Sequence, residues 1–334
     1  MNKRRELVLA LGAAALVSPL GSFAQPQGKV WRVGLLSSES AVRFGNGNRV
    51  AAFRAGMRDL GYEEGRNLVI EFRWADGNYD QLPELAAELV RLKVDVLVTH
   101  AILPLRAAMN ATTTIPIVTA TSGDLVGQGI VTNLARPGGN MTGEIFFVVE
   151  LAAKRVQLLR DALPRLTQVG VLLDAFAGTG AGSGAALFVQ AMETTARAVN
   201  LTLHFFPVLG PREFEAAFAA MFQQRVGAVA IPDSPMFISN PTVLSELAAK
   251  RKLPSIGPVD FALAGGLMSY GVDFPAMWYR AATFVDKIFK GTNPGDIPIE
   301  QANRFEMIVN MKTASALGLK IPQSILVQAT KVIE

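Results

Sequence analysis

Short apolar runs and amphipathic stretches alternate from Val30 to Gly257, and that alternation leaves few folds open to this chain. Val30–Leu36 is an apolar run of strand length. Val50, Phe53, Met57 and Leu60 follow at spacings of 3, 4 and 3, one face of a helix, and Gly61 ends it. Strands at Leu68–Phe72, Val94–Val98, Ile115–Thr119 and Met141–Phe147 enclose helices on Leu82, Leu85, Leu89 and Leu92 and at Pro104–Asn110. A second series starts near residue 150. Ala152, Val156, Leu159 and Leu163 mark a helix, and Val169–Leu173 a strand. Phe188, Met192, Ala196 and Val199 mark the next helix, followed by strand Leu201–Phe206 and helix Phe214–Phe222. Strand Val226–Ile231, helix Leu244–Lys252 and strand Pro254–Gly257 complete it. Strands apolar on both faces and separated by helices belong in parallel sheets covered on both sides. The 334 residues suffice for two domains of roughly 150 residues each. The expected class is therefore α/β, with two Rossmann-like, doubly wound lobes and parallel sheets.

The two series are weak copies of each other. Leu92–Thr99 matches Arg225–Pro232 in pattern, and Ile115–Val118 parallels Leu253–Ile256. Two such lobes form a cleft, and open α/β sheets hold ligands beyond the carboxyl ends of their strands. The polar residues there are the candidate contacts: Ser37, Ser38, Thr99, His100, Thr121, Ser122, Asp174, Asp233 and Ser234.

Composition excludes much chemistry. The chain has no cysteine and two histidines, His100 and His204, so thiolate sites, iron–sulfur clusters and multi-histidine metal sites are out. His204 lies mid-strand, expected to face solvent. His100 ends a strand, but no G-x-S-x-G elbow supplies a nucleophile, and no P-loop is present. Gly180–Ala185 fits G-x-G-x-x-A between a strand and a helix. The next strand, however, ends in Pro207 without the acid a dinucleotide site needs, so the stretch reads as a glycine-rich cleft loop. No enzyme activity and no cofactor are expected.

Lys3, Arg4 and Arg5 precede the apolar run Leu7–Val17, which is shorter than the roughly 20 residues of a membrane span. Ser22-Phe23-Ala24 is a small-x-small site, so residues 1–24 read as a signal peptide cleaved after Ala24. Sec and twin-arginine export both stay open, and an uncleaved anchor is the alternative. The mature protein is expected in the periplasm. Removing Lys3, Arg4, Arg5 and Glu6 from 32 basic and 28 acidic residues leaves 29 and 27, so no nucleic-acid partner is expected.

Several stretches, in order and spacing, resemble one family along nearly the whole chain. They are Phe53–Tyr62 (FRAGMRDLGY), Glu64–Asn67, Glu71–Ala75, Leu85–Val90 and Leu134–Gly143 (LARPGGNMTG). Gly265–Gly271 (GGLMSYG), Ala281–Gly291, Ile297–Gln301 and Phe305–Asn310 follow. The chain is similar to the ABC-transporter substrate-binding proteins of the tryptophan/tyrosine type, which have a type I periplasmic-binding fold. The resemblance implies two lobes joined by a multi-crossing hinge, with crossings near 143–149, near 270–275 and in the last 25 residues. Residues 30–143 plus 272–311 would form the N-terminal lobe, and 144–271 plus 312–334 the C-terminal lobe. The chain departs from the family at Asp124-Leu125, where members commonly read Asp-Pro, and at Asp174-Ala175, where they often carry Asn-Pro.

The implied function is capture of a small ligand between the lobes by hinge closure, then presentation to the membrane permease of an ABC importer, as a monomer. For an amino acid, the carboxylate suits Thr99, Thr121, Ser122 and the helix N-termini of the first lobe. Asp233 would hold the ammonium, and Tyr270 or Phe146 would stack on a side chain. A sugar or polyol held by Asp124, Asp174 and Asp233 is the alternative ligand. A sensor module docking on a membrane kinase or chemoreceptor is the alternative role.

Overall fold

The computed structural model describes residues 29–41, 48–175 and 184–334. The expected signal segment lies outside them, as does all of the glycine-rich stretch before Gly184. The packed unit runs from Trp31 to Glu334.

In chain order, the first series is β1 (Trp31–Ser37), α1 (Asn48–Asp59), β2 (Leu68–Trp74), α2 (Leu82–Arg91), β3 (Val96–His100), α3 (Ile102–Ala111), β4 (Ile117–Ser122) and β5 (Met141–Ile145). The second is α4 (Val148–Ala162), β6 (Gln168–Asp174), α5 (Gly184–Ala198), β7 (Thr202–Val208), α6 (Phe214–Gln223), β8 (Ala228–Ala230), α7 (Pro235–Ile238), α8 (Pro241–Lys250), β9 (Ser255–Gly257), α9 (Val259–Leu263) and β10 (Met268–Val272). Then come α10 (Phe274–Phe289), β11 (Glu300–Gln301), β12 (Phe305–Asn310), α11 (Met311–Ala316), α12 (Gln323–Leu326) and β13 (Lys331–Ile333). The helix α10 has no counterpart in the sequence reading. Its signals are the Asp273 cap on the Ala276 N–H, Pro275 in the first turn, and buried Met277, Trp278, Ala281, Phe284 and Val285.

One sheet has the order β11-β5-β4-β3-β1-β2, the other β13-β12-β10-β9-β8-β6-β7. Read from β2 and from β7, both run 2-1-3-4-5, the doubly wound order whose ligand crevice opens between the first and third strands. The weak sequence copies occupy equivalent places, β3 with β8 and β4 with β9. Strands β3 and β4 are buried along their whole length, as central strands of a covered parallel sheet are.

Three crossings join the sheets: Phe146–Phe147 after β5, Asp273 after β10, and Ala302–Arg304 after β11. The last corrects three expectations, the first being that it would fall in the last 25 residues. Residues up to 311 do not all belong to the first lobe, because β12 pairs with β10 in the second sheet. Nor is that sheet wholly parallel. β10 ends at the hinge and β12 starts there, so β12 must run back antiparallel. The crossings are hydrogen-bonded to one another, Ala302 N–H to the Ile145 carbonyl at 2.8 Å and Asp273 N–H to the Arg304 carbonyl at 3.1 Å.

Helix α10 returns to the first lobe and packs on α1 at Gly56, where a Cβ would lie 2.6 Å from the Tyr279 carbonyl. Beside the crossings, Glu144 of β5 is buried and stands in register with Glu300 of β11. Glu300 takes two hydrogen bonds from Arg280. Burial and the Glu300 charge push the Glu144 carboxyl up to about 7.

Candidate functional site

A cavity of about 780 Å³ opens where the carboxyl ends of β1, β3 and β4 face those of β6 and β8. On the first lobe, Ser38, His100 and Ser122 stand side by side because β1, β3 and β4 are neighbours. Ser38 Oγ and Ser122 Oγ are buried and have no hydrogen-bond partner among the described residues. Buried hydroxyls are seldom left so. Thr121 lines the cavity beside them.

Helix α3 points its N-terminus at the same place. Ala101, its N-cap, offers no side-chain cap and sits at φ 60°, ψ 167°, a region that normally belongs to glycine. The Ala101 N–H is taken by the Thr121 carbonyl at 2.7 Å. Pro104 has no N–H, so Ile102 and Leu103 carry the first-turn donors, and both line the cavity. A neutral hydroxyl pair beside a helix N-terminus suits an anion.

Ser37 and Thr99 lie behind this surface, buried and outside the lining. The Ser37 Oγ lies 2.8 Å from His100 Nε2 and accepts the Glu39 N–H at 3.0 Å. This is not a nucleophile and its base. Burial and the Arg49 charge push the His100 imidazole down to about 3, so it has no basicity to lend at neutral pH. His204, expected to face solvent, sits on the edge strand β7 and is half-buried with its Nε2 shielded.

The second lobe contributes Asp174, Pro232, Asp233 and Ser234 to the lining. Ser234 caps α7 through the Phe237 N–H at 3.3 Å. Asp233, expected to hold a ligand ammonium, lines the cavity and is ion-paired within its own lobe. Its Oδ2 lies 2.6 Å from Arg155 Nη1, and both side chains are almost wholly buried. Arg155 also donates to the carbonyls of Tyr270 at 2.7 Å and Ile231 at 3.2 Å. The Asp233 charge is matched from within its own lobe. The sequence signal for Arg155 was a cation on the apolar face shared by Ala152, Val156 and Leu159, spaced for helix packing rather than for solvent.

Tyr270 does not reach the cavity. Its ring stacks on Phe305 with centroids 6.1 Å apart. Aromatic walls come instead from Phe146, Phe188, Phe237 and Phe274. Phe146 meets Phe274 edge-on at 5.5 Å, so the first crossing and the start of α10 form one wall. Asp124, at the rim, turns its Oδ1 back onto the N–H groups of Val126 and Gly127. Glu39, Arg49 and Tyr79 also line the cavity, and the sequence reading missed them. Glu39 follows Ser38 at the carboxyl end of β1, while Arg49 and Tyr79 lie away from the strand ends and reach the cavity through tertiary packing.

A family model described as ABC transporter substrate binding protein matches residues 45–333. The tyrosine-binding protein of Clostridioides difficile is 24% identical over 269 residues, 80% of this chain and 76% of that one. A conserved domain protein from Vibrio cholerae superposes with a TM-score of 0.82 at 25% identity, covering 91% of this chain and all of that one. An ABC domain from Streptococcus pneumoniae, solved in complex with L-Trp, gives 0.79 at 23% identity over 90% of this chain and all of that one.

Proposed function

The chain belongs to the ABC transporter substrate binding proteins, a family of binding proteins and not of enzymes, and from that premise we propose that it is the exported receptor of an importer for an amino acid with an aromatic or bulky apolar side chain. The observation that carries this reading is the pair of buried, unpartnered hydroxyls of Ser38 and Ser122 beside the uncapped N-terminus of α3. A carboxylate there accepts from two hydroxyls and the Ile102 and Leu103 N–H groups, in a field already favourable to negative charge. The side chain lies against the Phe146, Phe188, Phe237 and Phe274 walls. Asp174, on the second lobe, supplies negative charge for the ammonium. The names of two relatives, one tyrosine-binding and one solved with L-Trp, agree with that ligand class.

Because both lobes line the cavity, a ligand touches both at once and favours the closed form by its differential contacts. The receptor acts in the periplasm, as a monomer, and hands its ligand to a membrane permease. Thermal shift with L-tyrosine, L-tryptophan, their amides and a sugar panel tests the reading, since a ligand bound to the folded state raises stability by RT ln(1 + [L]/Kd). The free amino acids should raise the melting point and the amides should not, and Ser122→Ala should weaken the effect. A shift with sugars alone would overturn it.

A further inference from the structure

Arg49 opens α1 in the first lobe, is buried, and lines the cavity. Among the described residues, three groups of different origin stand beside its guanidinium. Glu39 of the same lobe lies 3.7 Å from Nη1. The Phe274 ring, the first residue after the second crossing, lies under it at 4.6 Å. Asp260 Oδ2, in the first turn of α9 in the second lobe, lies 3.3 Å from Nη2. Arg49 and Asp260 are 211 residues apart and meet only because the lobes face each other here.

The three contacts differ in what opening would do to them. Glu39 and Phe274 move with Arg49, since α10 packs on α1. They hold the planar guanidinium in place whether or not the second lobe is near, so little side-chain freedom is lost when it meets Asp260. Asp260 travels with the other lobe. Its side chain is 42% exposed and lies outside the cavity lining, within electrostatic reach of Glu306 just past the third crossing, so the pair bridges the lobes at the edge of the cleft beside the crossings.

We infer that the Arg49–Asp260 ion pair is a latch between the two lobes, at the edge of the cleft beside the crossings, that slows departure of ligand from the closed form. The inference rests on the cleft-receptor reading above. A pair this exposed is modest in strength and screened by salt, so its effect on the off-rate is about two- to fivefold at low ionic strength and smaller at 1 M salt. The contact forms after ligand has entered, so the on-rate changes little.

Stopped-flow dissociation of L-tyrosine from the parent, Asp260→Asn, Arg49→Gln and the double variant tests it. Asp260→Asn should raise koff two- to fivefold with kon nearly unchanged. The double variant should add nothing beyond Arg49→Gln, and 1 M salt should bring the parent close to Asp260→Asn. Should Arg49→Gln fail to fold, Asp260→Asn carries the test, because its side chain is partly in solvent. A second arm needs no ligand. The chain has no cysteine, so Asn110→Cys and Gln223→Cys, exposed on α3 and α6, give one spin label per lobe. Without the latch, the inter-label distance distribution should broaden toward longer values. An unchanged koff together with an unchanged distribution overturns the latch. Failure of the parent to bind either L-tyrosine or L-tryptophan overturns the ligand reading instead, and the distance arm alone then decides the latch.

Discussion

Asp233→Asn separates two accounts of the same residue. If Asp233 were the ligand's ammonium partner, the change would weaken binding and leave the empty protein's stability alone. The structure places it 2.6 Å from Arg155, with both side chains almost fully buried. Asparagine keeps the shape but removes the charge, leaving a guanidinium in the interior matched only by the Tyr270 and Ile231 carbonyls. Breaking a buried pair from one side costs about 3–5 kcal/mol, because the remaining charge keeps its desolvation penalty. A chain this size loses roughly 2 °C of melting temperature per kcal/mol. The unliganded variant should therefore melt about 6–10 °C below the parent. Arg155→Met with Asp233→Asn should recover much of that loss, since no unpaired charge remains. The assay is calorimetry on the three variants, with isothermal titration of L-tyrosine alongside. An unchanged melting point with a lost affinity would refute the ion-pair account and restore Asp233 to the ligand.

Two further outcomes follow from buried or strained groups. Glu144 has its carboxyl raised from 4.5 to about 7, so the folded state holds its proton more tightly than the unfolded chain. Stability is then full below about pH 4.5 and is lost progressively as pH rises to about 7. Relative to the parent, Glu144→Gln should gain on the order of 3 kcal/mol at pH 8 and nothing at pH 4, read from urea unfolding at both values; equal differences at the two pH values would count against it. Ala101→Gly relieves a backbone held at φ 60° and ψ 167° and should stabilise by about 1 kcal/mol after the entropy of glycine is subtracted, with a lower melting point as the contrary result.

The chain's local chemistry was enough to read the two series of parallel strands and covering helices, but not α10 or the returning β12. The runs read at Val94–Val98 and Ile115–Thr119 lead into β3 and β4, which are buried on both faces, and strands so covered lie inside a parallel sheet. That placed Ser38, His100, Thr121, Ser122, Asp174 and Asp233 at strand ends before any coordinates, and all of them line one cavity. What tertiary structure decided was how those ends are partnered. Asp233 and Arg155 are 78 residues apart, and nothing local to either tells that the charge of one cancels the other. Tyr270 was expected to stack on a ligand side chain, but β12 running back from the third crossing brings Phe305 against its ring, and it does not line the cavity. Arg49 is one more arginine on an amphipathic helix until Asp260, from the other lobe, stands beside it. Periodicity is a property of neighbours in sequence, which share a helix face or a strand edge. Charge pairing and ring stacking act over a few ångströms of space, and only the closed fold sets which distant residues share it.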